Sequence, residues 1–183
     1  MVQSSNKANW IVRSVYSIGA AVLVLFSLFG AASCALAEGL PKPSGAVVLT
    51  ISGNISEHNG SGKARFDRRM LEALGMRTLH TRTIYSSNES DWCGILMRDL
   101  LTRVGAKGEK IEFTAHDDYR AVIPFKEYFE YDVLLAMEKN GKKLSMRTRG
   151  PTRIIYPLDG NEELDDKRYA ARYVWQIKDI VVK

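Results

Sequence analysis

Short apolar runs, each closed by Gly, Asn, Asp or Ser, set the pattern of this chain. They predict strands joined by tight turns, with only a few short helices. The β-branched run Ala46–Ile51 ends at Ser52-Gly53-Asn54 and predicts a strand followed by a turn. Leu79–Tyr85, Lys110–Ala115, Arg120–Pro124, Val133–Lys139, Thr152–Tyr156 and Tyr173–Val182 predict further strands. Asn140-Gly141 accepts positive φ at both central positions and predicts a hairpin.

Two segments change period. Asp67 can cap a helix running to about Leu74, with Met70, Leu71 and Leu74 on one face and Gly75 as the stop. Leu96, Leu100, Leu101 and Val104 form a second helical stripe closed by Gly105. Phe125–Phe129 predicts one helical turn, and Asp159–Ala170 a charged surface loop or short helix. His58–Lys63 and Ser86–Asp91 are polar and predict exposed loops. The fold class is α+β, a mixed β core with a few short helices and no internal repeat.

The N-terminus follows a different logic. Lys7 and Arg13 precede an apolar run, Ile18–Phe29, too short for the ~20 residues that span a bilayer. Ala35-Leu36-Ala37 then supplies the small side chains of a signal-peptidase site. Residues 1–37 are therefore expected to be a secretory signal peptide cut before Glu38, with 38–183 as one domain in the periplasm. Lipidation at Cys34 is the weaker alternative. The mature chain keeps one cysteine, Cys93, so no disulfide within it is possible.

Hydrophobic residues make up 45% of the 183 and charged residues 26%, which excludes general disorder. The formal charge of +5 falls to about +3 without Lys7 and Arg13. A charge that small, spread along the chain, does not support a nucleic-acid partner. No P-loop, nucleophile elbow, dinucleotide fingerprint or zinc-helix motif occurs.

The candidate chemistry lies in polar and aromatic residues at strand ends: Thr83, Tyr85, Ser86, Trp92 and Cys93; Asp117, Asp118 and Tyr119; Arg149 and Arg153. A flat heteroaromatic ligand needs a surface to stack on, acceptors for its donor edge and cations for polar tails. Trp92, with Tyr85 or Tyr119, could stack. Asp118, then Asp117, could accept from the donor edge. Arg149 and Arg153 could reach a carbonyl or side chain, with Thr83 and Ser86 as further donors. The same residues also admit a plainer reading: core tryptophans, solvated arginines, an Asp-Asp turn cap and a small buried Cys93.

The order of motifs resembles the periplasmic oxidoreductase molybdopterin-binding domains of sulfite-oxidase fold. It rests on Leu49-Thr50-Ile51-Ser52-Gly53, Thr83-Ile84-Tyr85, Trp92-Cys93-Gly94 with Ile95–Leu101, and Asp118-Tyr119 before Ile123-Pro124. It continues through Asn140-Gly141-Lys142-Lys143-Leu144, Gly150–Pro157 and Trp175–Ile180. The resemblance implies a sulfite-oxidase-type fold and a pterin pocket. In catalytic members a cysteine in the segment matching Thr81–Tyr85 ligates molybdenum. That segment has no cysteine here, and Cys93 lies about ten residues later. The chain is therefore similar to the non-catalytic, PruR-like branch. That likeness implies a metal-free pterin, no enzymatic activity, and a partner in the periplasmic domain of a membrane-bound diguanylate cyclase/phosphodiesterase. Ligand is then expected to order Ser86–Asp91 and so alter the surface offered to the partner. The alternatives are a molybdopterin-dependent oxidoreductase and a ligand-free interaction module.

Overall fold

The computed structural model describes residues 39–183. The signal-peptide reading, its cut before Glu38 and the lipidation alternative at Cys34 lie outside the described residues. In chain order the elements are β1 (Val47–Gly53), β2 (Ala64–Asp67), α1 (Arg68–Glu72), β3 (Arg77–Thr83), β4 (Ser86–Leu96) and α2 (Met97–Arg103). Then follow β5 (Lys110–Ala115), β6 (Arg120–Pro124), α3 (Glu127–Glu130), β7 (Leu134–Lys139), β8 (Lys142–Lys143), β9 (Arg153–Ile155) and β10 (Ile177–Val182). Short 3-10 turns occupy Met146–Thr148, Glu162–Leu164 and Lys167–Arg172.

Two sheets result, one mixed and one wholly antiparallel. One sheet runs β2-β1-β10-β5-β6, with β1 and β10 parallel and the other neighbours antiparallel. The other runs β3-β4-β7-β8, and β9 also pairs with β7. Alternation places Leu49 and Ile51 fully inside while Thr50 and Ser52 stay half-exposed. A register shift at Lys178 lets Ile177 and Ile180, three residues apart, both face the core. Phe66, Leu100, Phe113 and Tyr156 join them in one continuous apolar cluster.

Asp67 caps α1 as expected, its carboxylate accepting from Met70 N at 2.9 Å. It also accepts from Ser44 N and Gly45 N at 2.8 Å, so one side chain ties the bend before β1 to the helix. These bonds, that from Met70 first, lower its pKa to about 2. The stripe Leu100, Leu101 and Val104 is buried on α2.

Three expectations need correction. Ser86–Asp91 is not a loop but the first half of β4. Its ladder to β3 carries it, helped by His80, whose ring nitrogens lie 2.6 Å from Asp91 and 3.0 Å from Glu89. Ile84 and Tyr85 are the two-residue turn of that hairpin rather than the end of a strand. Tyr173–Gln176 stays outside β10, and Gln176 adopts φ 54°. A segment already paired in a hairpin needs no ligand to order it.

Candidate functional site

The site is built on the β7–β8 hairpin and the chain that folds back over it. Asn140 (φ 49°) and Gly141 (φ 71°) make the turn. Asn140 is tied to β4 by its N–H on Asp91 O (2.8 Å) and by its Oδ1 accepting from Asp91 N (2.9 Å). Ser145 and Thr148 bond each other across the following 3-10 turn, and Arg149 reverses the chain with φ 65°. Gly150 then crosses Leu144 so closely that a Cβ would lie 2.5 Å from Leu144 Cβ and 2.6 Å from its carbonyl carbon. Strand β9 returns the chain alongside β7, setting Arg153 opposite Ala136.

Between hairpin and loop lies a cavity of about 500 Å³. Six of its nine lining residues are cations: Lys139, Lys142, Lys143, Arg147, Arg149 and Arg153. The other three are Asn140, Leu144 and Thr148, and none is acidic. These six make a local cluster of positive charge, where the charge was expected to be spread along the chain.

Arg153 is the unusual member. It is only 6% exposed, yet its Nε has no hydrogen-bond partner. Burial, then repulsion from Arg149, lowers its pKa to about 10. No carboxylate pairs with it among the described residues. Its guanidinium lies 4.7 Å from the centroid of Trp92, whose own Nε1 is buried without a partner. Lys139 Nζ lies 4.8 Å from the same ring. A buried cation without a counter-charge is costly, and a site that retains one is prepared for an acceptor from outside the chain.

A second layer of rings backs this one. Arg149 covers Trp175 at 4.6 Å, and Tyr85 meets Trp175 and Tyr173 edge-on at 6.0 Å. Tyr85 OH donates to Ala170 O at 2.7 Å and Tyr119 OH to Ala171 O at 3.3 Å. Both tyrosines thereby hold the Lys167–Arg172 turn. Arg172 in turn pairs with buried Glu127 at 2.5 Å, and Glu127 accepts from Tyr156 OH at 2.9 Å.

Of the residues singled out from sequence, Arg149 and Arg153 line the cavity and Trp92 lies against Arg153. Trp92 is 3% exposed and carries two cations, so a planar ligand entering here meets guanidinium before indole. Asp117 and Asp118 lie on the β5–β6 turn of the other sheet and do not line the cavity. Asp117 Oδ1 accepts from Tyr119 N at 3.1 Å, and Asp118 holds φ 63°. Thr83 is buried opposite exposed Ser86 at the β3–β4 turn, and Ser86 Oγ accepts from Asn88 N.

Cys93 follows Trp92 on β4, so its side chain takes the opposite face of the sheet. It sits between Thr78 and Glu138, and Arg68 of α1 covers that face by pairing with Glu138 at 2.7 Å. The cavity therefore has no thiolate to offer a soft metal. Its planar cations and orphaned donors do fit an electron-rich heterocycle with carbonyl or anionic groups.

Lys139, Lys142, Lys143 and Arg147 were missed from sequence because hairpin lysines look like a solvated face. The signal was present: residues 139–153 hold six cations and no acid.

A family model described as "Oxidoreductase molybdopterin binding domain" matches residues 61–159. Among solved structures, the crystal structure of the sulfane dehydrogenase SoxCD from Paracoccus pantotrophus is similar, at 14% identity and TM-score 0.53. The match covers 73% of this chain and 37% of that one, so the present chain spans well under half of its length. No curated protein matches the sequence. The layered sheets and few short helices are those of the sulfite-oxidase-type molybdopterin-binding fold.

Proposed function

The chain belongs to the oxidoreductase molybdopterin-binding domain family, and on that premise we propose that it is a pterin-binding sensor that holds its ligand without metal. One observation carries this reading. Arg153 is buried and unpaired against the cavity, while the lone thiol among the described residues lies across the sheet. The guanidinium planes of Arg153 and Arg149 offer a stacking surface, and their N–H groups can reach a ring carbonyl. Molybdenum chemistry would need a cysteine sulfur at the ligand, and neither Thr81–Tyr85 nor the cavity wall supplies one.

The sensor works in the periplasm and acts on the periplasmic domain of a membrane-bound diguanylate cyclase/phosphodiesterase, so tuning cyclic-di-GMP and attachment. This part rests on the sequence resemblance to the PruR-like branch. Signalling is a population shift, bounded by the ligand's preference for one state of the complex. The test is a titration of the purified protein with neopterin, followed by quenching of pterin fluorescence. Saturable one-to-one binding, lost in Arg153→Met, is the expected result. Absence of binding to oxidised and reduced neopterin alike would defeat the reading.

A further inference from the structure

His80 lies on β3, at the edge of its sheet, with a carboxylate at each ring nitrogen. Nδ1 is 2.6 Å from Oδ1 of Asp91, directly across the ladder. Nε2 is 3.0 Å from Oε2 of Glu89, the diagonal neighbour on the same face. A neutral imidazole has one N–H and one bare lone pair, so it can donate to only one of these acceptors. The imidazolium donates to both, and the arrangement is therefore that of the charged ring. The two bonds, that to Asp91 first, raise the pKa of His80 above its ordinary value. Glu89 and Asp91 are the only charged side chains on β4. Charges on the neighbouring elements are engaged elsewhere: Arg82 holds Asp159 and Asp165, and Lys139 lies over Trp92.

Asp91 joins this ring to the cavity wall. Its carboxylate meets His80, its N–H donates to Asn140 Oδ1 at 2.9 Å, and its carbonyl accepts from Asn140 N at 2.8 Å. Asn140 lines the cavity, as do Lys139 before it and Lys142 after the turn. We infer that His80 is a pH-sensitive clamp: its charged ring fixes Asp91, and through Asp91 the Asn140-Gly141 turn of the cavity wall, and the turn loosens when the ring gives up a proton to water. In the neutral ring a lone pair faces one of the carboxylates, so a bond becomes a repulsion. Because the pKa is raised by folding, the clamp is complete below the pH at which a free histidine titrates. It is lost as the pH rises through the higher value of the folded protein. The ring is exposed, so the effect is local, at the turn, rather than on the whole fold. The clamp needs no particular ligand and stands apart from the pterin reading.

The experiment is nuclear magnetic resonance on the purified, ligand-free protein from about pH 6 to about pH 9. Ring shifts of His80 follow its titration. Exchange of the Asp91 and Asn140 amides with water, each divided by its intrinsic rate at the same pH, follows the turn. Two surface variants accompany wild type: His80→Lys, which stays charged over this range, and His80→Gln, which is neutral throughout. In wild type, protection of both amides should fall about two- to fivefold, with the same midpoint as the ring. His80→Lys should keep its protection across the range, and His80→Gln should already have lost it at the lowest pH. A ring that titrates without moving either amide overturns the clamp. So does the same pH dependence in all three proteins, or a ring that titrates below a histidine in an unfolded peptide.

Discussion

Replacing Arg153 by Met should stabilise the ligand-free protein while abolishing binding. The lowering of the guanidinium pKa from 12.5 to about 10 corresponds to about 3 kcal/mol against the charged form in the folded state. Burial is the leading cause and Arg149 the second. At neutral pH the group is still protonated, so the folded protein bears this cost. Met keeps much of the stem volume and carries no charge. Against the gain stands the loss of the contact over Trp92, about 0.5–2 kcal/mol. The net expectation is a gain of about 1–2 kcal/mol, or roughly 3–6 °C in Tm for a domain of this size. The assay is thermal unfolding by circular dichroism beside a neopterin titration on the same sample. A variant that melts lower than wild type and still binds would show Arg153 to be a structural residue and refute the reasoning. A stabilised variant that no longer binds is the signature of a site maintained at the expense of stability.

Three further outcomes follow from the packing. Asp67 is held near pKa 2 by the amides of Met70, Gly45 and Ser44, so its contribution is complete above pH about 4 and lost as the pH falls toward 2. Urea midpoints across that range should drop for wild type and stay flatter for Asp67→Asn. Glu127→Ala strands Arg172 and the buried Tyr156 hydroxyl, at a cost of about 3 kcal/mol, or roughly 9 °C in Tm. Hydrogen exchange should then quicken across Lys167–Arg172, and unchanged exchange would show that Glu127 does not hold that turn. Gly150→Ala drives a methyl into Leu144 and should cost about 1–3 kcal/mol while weakening ligand binding. A Tm within 1 °C of wild type would mean the loop gives way there.

Local signals were legible where one residue sets the local geometry. Asp67 announced a helix start, Asn140-Gly141 a hairpin, and the Leu100-Leu101-Val104 stripe a buried helix face. Ser86–Asp91 was not legible, because its residues are polar and exposed apart from Ser90 and its strand state comes from β3 across the ladder. The site divides in the same way. Arg149 and Arg153 stood out beside Gly150-Pro151. Trp92 stood out as a ring to stack on, but its cover by Arg153 and Lys139 depends on β9 and β7 meeting in register. Cys93 looked close to the site because it adjoins Trp92. Adjacent positions on a strand face opposite ways, and that alternation sets the thiol apart from the cavity.

The central claim is that this family member keeps a ring-binding cavity without the sulfur that would hold a metal in it. Quantitative mass spectrometry of small molecules and metals released from protein purified from its native host tests that most directly. The account predicts about one pterin per chain and only trace molybdenum. Molybdenum released in equimolar amount with the pterin would contradict it.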